Sequence, residues 1–315
     1  MKVIVPLLQN LDQTEAALTS STVNEPDIYA TPPEEVWNAA TNYNVGDIVI
    51  RTETHMKYEN IQAGVDATPP EEDAALETPT RWVNIGPTNK YAMFDVIRNT
   101  QTETTSPLTV VIAPGERIDS IGVFGMEAEN ITITMENVSV EVYSYTEDLN
   151  TREVLNWYDY FFAPFSTIPS ILRLDLPPYS AGITTITLTS STGVVACGAV
   201  IIGSQVDLGD VVYGAQDDEL NFSRIERDFD GTAQITQRRS IPKLDIEVWA
   251  DKADTNKIRS ARRALNAIPT AWSGLDANNT DEYFETLLIL GIYKRWERNL
   301  AHPTKVISYI ELEEL

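Results

Sequence analysis

Between residues 89 and 206 the sequence runs strand after strand. TVVIAPG, RIDSIGVFGM, ITITM, VSVEVYSY, ILRLDL, ITTITLTS and GVVACGAVIIGSQ are apolar or alternating, with no helical period between them. Their β-branched residues fit a pleated, half-buried surface. Turn residues bound them at Pro114-Gly115, Glu129-Asn130 and Pro177-Pro178. Short strands at this spacing predict an antiparallel β-sandwich. One segment breaks the pattern: Asn156–Phe165 (NWYDYFFAPF) reads as a dense aromatic loop. Trp157, Tyr158, Tyr160, Phe161 and Phe162 present large apolar faces, suited to capping the sandwich, filling a subunit interface or forming a ligand platform.

The flanking regions differ in texture. In residues 1–88, ATPPEE occurs at Ala30–Glu35 and again at Ala67–Glu72. Paired prolines fix φ and block helix, so both copies are expected to be stiff, solvated loops. Between and after them lie the turn Asn44-Val45-Gly46-Asp47, the strand IVIR and a strand at His55–Ile61, with Trp37, Tyr43, Tyr58 and Trp82 as the aromatic framework. A β module this small has a marginal core without disulfides or metal, and is expected to lean on its neighbour.

Residues 207–315 open with expected strands at Asp210–Tyr213, Phe222–Asp228, Gly231–Arg239 and Lys243–Trp249. Asp251 then reads as the N-cap of a helix that runs until Pro269 stops it. Ile258, Ala261, Leu265 and Ile268 form its apolar stripe, and Lys252, Lys257, Arg259, Arg262 and Arg263 its other faces. YFETLLILGIYKRWERNL is compatible with strand or helix, and KVISYIELEEL with a strand. The expected fold is therefore mainly β: a small β module in 1–88, an antiparallel β-sandwich in 89–206 and an α+β assembly domain in 207–315.

Charge narrows the partners. There are 47 acidic and 23 basic residues, a net charge of −24. So acidic a chain repels phosphate, which argues against nucleic acid and anionic membrane as partners. Against that background the basic helix stands out, either as a solvated face or as a contact for an acidic neighbour subunit, with Arg259, Arg262 and Arg263 as the contact candidates. A single cysteine, Cys197, excludes an intrachain disulfide and a thiolate-rich metal site.

Asp217-Asp218-Glu219, Asp228/Asp230 and Glu71-Glu72-Asp73 read as solvated loops, and neither His55 nor His302 has a ligand or triad pattern beside it. No catalytic residue, metal ligand or cofactor is expected. MKVIVPLLQN does not read as a signal peptide, and no apolar run is long enough to span a bilayer, so synthesis in the cytoplasm is the expectation.

The order of segments carries a resemblance. ALTSSTVNEPDIYA, TNYNVGDIVI, KYENIQAG and RWVNIGPTNKYAMFD together resemble a recurrent opening of tailed-bacteriophage virion proteins. The middle part is similar to small chitin- and cellulose-binding β modules, at Trp37, Tyr43, Gly46, Asp47, Tyr58 and Trp82. IAPGERIDSIGVFGMEAENITITM and ITLTSSTGVVACGAVIIGSQVDLG resemble the galactose-binding type of β-sandwich. The resemblance covers residues 15–206, and the C-terminal third matches only loosely.

It implies a non-enzymatic structural subunit of a phage tail, at the tip or baseplate, whose partners are copies of itself and other virion tail proteins. It also implies a second reading, attachment to host surface glycan through Trp37, Tyr58 and Trp82. A third, polysaccharide depolymerase, lacks a catalytic carboxylate pair.

Overall fold

The computed structural model describes residues 1–65, 67–98, 100–151, 155–162, 167–191, 193–227, 229–275 and 284–315. The fold is mainly β, as expected. The chain divides into two compact units: Leu7–Ile171 with Asp175–Ile202, and Met1–Pro6 with Leu172–Leu174 and Gly203–Leu315.

The first unit is sandwich-like. Its five-stranded antiparallel sheet runs in the order Val140–Asp148, Asn130–Asn137, Gly182–Thr189, Leu108–Ile112, Leu18–Ser21. Period-two alternation turns Ile131, Ile133 and Met135 inward from one strand, and Ile186 and Leu188 from the next. They share a core with Ile121, Val123, Val200 and Ile202 from the strands Ser120–Phe124 and Ala199–Asp207. The run GVVACGAVIIGSQ is broken at Gly198, where a Cβ would strike the Arg98 carbonyl oxygen. Cys197 is buried beside it, and that burial pushes the thiol up to about 12, an inert side chain.

The small β module belongs to this same unit. Ile48–Arg51, Met56–Asn60 and Trp82–Pro87 form its sheet, around a core of Tyr43, Val49, Tyr58 and Trp82. The two ATPPEE copies diverge. The first is non-helical, but the second opens the short helix Pro70–Ala74. Proline is tolerated at a helix start because its missing N–H has no intrahelical partner to lose.

The second unit is built on a sheet whose order is Lys2–Pro6, Thr270–Ser273, Leu288–Asn299, Lys305–Glu314, Ser240–Asp251. Lys2–Pro6, in the N-terminal segment ahead of the small module, pairs with Gly203–Asp207 on one side and Trp272–Ser273 on the other. The ambiguous segment is the strand Leu288–Asn299, because it finds partners on both edges. Asp210–Val211 and Gln216–Asn221 pair along the outer edge of Ser240–Asp251.

The helix is shorter than expected: a 3-10 turn at Lys252–Asp254 leads into Thr255–Ala264, which stops before Pro269. Asp251 makes no side-chain cap; its carboxylate pairs with Lys305 at 2.8 Å. Ile258, Ala261 and Leu265 dock on Val248, Trp272, Trp296 and Leu312 in the core.

Candidate assembly surfaces

The proposed glycan contacts are corrected by burial. Trp82 is 0% and Tyr58 3% exposed, and Trp37 is half-buried against them. Tyr43 meets Trp82 edge to face, with ring centroids 5.2 Å apart. These aromatics are the core that a module of this size needs, and among its described residues they leave no line of exposed rings to stack on a sugar.

Asp73, read from the sequence as part of a solvated loop, is also buried, and it holds this core in place. Its carboxylate accepts hydrogen bonds from Thr80 Oγ1 at 2.7 Å, Arg81 N at 2.7 Å and Trp82 N at 2.7 Å. Burial alone would raise its pKa; the hydrogen bonds from Trp82, Thr80 and Arg81 outweigh that and hold it below the usual carboxylate value.

His55 is buried with a partner the sequence did not suggest. Its Nδ1 lies 2.8 Å from Glu25 Oε2, and Tyr91 stacks on the ring at 3.8 Å. Glu25 Oε1 accepts from Thr88 Oγ1 at 2.8 Å, so the group ties three distant segments of the first unit together. Asp27, Glu34 and Asn89 form a second buried tie: Asn89 Nδ2 donates to Asp27 Oδ2 at 2.6 Å, and Asn89 N to Glu34 Oε1 at 2.7 Å. Both are explained by loop anchoring. Among the described residues no group of three or more metal-ligating side chains converges.

The aromatic segment has the opposite character. Trp157–Phe162 is a helix, correcting the expected loop, while residues 163–166 lie outside the described residues. Helical spacing stacks Trp157 on Phe161 and brings Tyr158 to Phe162, with centroids 6.3 Å and 5.2 Å apart. Yet Trp157 is 78% and Tyr160 57% exposed, and Tyr158, Phe161 and Phe162 fall between. The rings cluster with one another and nothing among the described residues covers them. A contiguous exposed aromatic patch is unusual for a solvated surface and typical of a contact surface.

A second exposed apolar feature belongs to the other unit. Beyond the ladder of Gln216–Asn221 with Ser240–Asp245, the chain continues as a hairpin, Arg224–Arg227 paired with Ala233–Thr236. Ile225 and Ile235 lie opposite each other, and both are exposed, as are Phe222 and Phe229. A two-stranded ribbon is marginal in water by itself, so a partner that covers these side chains would stabilise it. Asp228, between its strands, lies outside the described residues.

Arg259, Arg262 and Arg263 are exposed on the helix Thr255–Ala264, as expected. They are joined by a residue that the sequence did not single out. Arg298, on the strand Leu288–Asn299, donates from Nη1 to the Thr255 carbonyl at 3.4 Å. Burial, followed by the neighbouring Arg262 and Arg259 charges, holds its pKa below the usual guanidinium value. Only the sheet register reveals this neighbour; no local motif marks it.

Comparison with known proteins assigns no family: no protein-family model matches the chain, and no curated protein matches it.

Proposed function

We propose that this chain is a structural subunit of a tailed-phage virion, placed at the tail tip or baseplate, and that it works through contacts between copies and with other tail proteins. The observation that carries the reading is the exposed aromatic helix Trp157–Phe162, an apolar surface that nothing among the described residues covers. Burying such rings between subunits contributes roughly 25 cal/mol per Å² of apolar area removed from water. The ordered resemblance over residues 15–206 supplies the virion context.

Glycan attachment through Trp37, Tyr58 and Trp82 is not retained, since those side chains are committed to the module's core. The test is location. An antibody raised against the chain should decorate the end of the tail in electron micrographs of the phage particles. Decoration absent from particles, or confined to the head, contradicts the proposal.

A further inference from the structure

Several cations of the C-terminal unit are paired within the chain. Lys243 meets Glu311 at 2.8 Å, Lys294 meets Glu313 at 3.1 Å, Arg295 meets Glu297 at 2.6 Å and Lys305 meets Asp251 at 2.8 Å. Others are not, and three of these, Arg259, Arg262 and Arg298, are neighbours. Lys257, Arg259, Arg262, Arg263 and Arg298 have no carboxylate within ion-pair distance among the described residues. The helix that carries four of them holds no acidic residue at all.

Acids outnumber bases 47 to 23 in this chain, so a shortage of partners does not explain the gap. The helix dipole accounts for Arg262 and Arg263 in the last turn. It does not account for Arg259, nor for Arg298, which lies on a strand and is half-buried beside two like charges. Crowding three guanidinium groups is unfavourable unless an anion completes the cluster.

The complementary surface is on the same unit. Among the described residues Gln216–Asn221 pairs with Ser240–Asp245 along one edge and with no strand along the other. Asp217, Asp218 and Glu219 are exposed on it and form no ion pair among the described residues. Among the described residues no ion pair joins this strand to the basic helix.

We propose that the basic face around Arg259, Arg262 and Arg298 receives the acidic edge strand Asp217–Glu219 of a second copy of this chain. The inference rests on the multi-copy reading and adds to it one specific joint. A patch that meets a different patch on its neighbour makes a head-to-tail contact, which repeats into a ring if the rotation closes and into a filament if it does not. A second copy is favoured over a nucleic acid because a chain of net charge −24 repels a polyanion at long range while offering acidic strands of its own.

Charge reversal with rescue tests the joint, read as mass by sedimentation at about 0.1 M salt. Arg259→Glu with Arg262→Glu should weaken association at least about tenfold, and so should Asp217→Arg with Asp218→Arg. A chain carrying all four reversals should recover wild-type assembly. The changes are on exposed positions, so the urea midpoint should hold; if a reversal disturbs folding, Arg259→Gln with Arg262→Gln provides the same comparison with smaller charge change. Wild-type multimers that neither reversal weakens, or four reversals that fail to rescue, overturn the joint and leave the assembly reading standing. Loss of heparin binding with the multimer intact overturns it in favour of a polyanionic partner. A wild-type chain that never associates removes both the joint and the broader reading.

Discussion

At the scale of single residues, the same side chain has opposite fates. Trp82 fills a core and Trp157 stands in solvent, and nothing in their local sequence separates them. What distinguishes Trp82 is a carboxylate nine residues upstream whose hydrogen bonds fix the backbone into and through it. Replacing Asp73 by Asn keeps the size and removes the charge that the Thr80, Arg81 and Trp82 donors address. We expect a loss of about 1–3 kcal/mol of stability at neutral pH, measured by urea unfolding.

The sign of its pH dependence follows from the lowered carboxyl. The unfolded value is about 3.9. The folded value lies beneath it, so the stabilisation is complete above the unfolded value and is lost as pH falls through the folded one. Asp73→Asn should therefore flatten the acid limb of the stability profile; an unchanged acid limb would show that Asp73 does not carry it.

At the scale of elements, strands were legible where β-branched residues alternate, as in Asn130–Asn137 and Gly182–Thr189. They were illegible where pairing overrides composition. QDDELN lacks strand formers apart from its leucine, yet is held as a strand by six register partners on Ser240–Asp245. Lys2–Pro6 was hidden for a different reason, since its partners lie about two hundred residues away at Gly203–Asp207.

The aromatic helix was recognised by composition and misread in conformation, because its rings stabilise one another at helical spacing without a capping signal. Its surface role is separable from folding. Trp157→Ser with Phe161→Ser should leave the urea midpoint within about 0.5 kcal/mol of wild type. The same pair should weaken self-association roughly tenfold or more, if these rings anchor a contact. Unaltered association would place the contact elsewhere.

At the scale of the whole molecule, residue types pointed to candidate contacts, but exposure and sheet register decided among them. Burial commits Tyr58 and Trp82 to the module's core with Trp37 packed against it, and the fold brings Arg298 beside Arg259 and Arg262. Each unit keeps an exposed feature that the described residues leave uncovered: aromatic rings in one, a basic face and a hairpin in the other. A surplus of acidic charge opposes close approach at long range and is screened within about 8–10 Å at physiological salt, so local complementarity sets which faces meet.

Whether copies of this chain associate can be read from the mass of the intact chain in solution. Sedimentation equilibrium above the micromolar range should give defined multiples of 35.1 kDa, visible as closed or stacked particles in the electron microscope. A single species of 35.1 kDa across that whole range would contradict self-association.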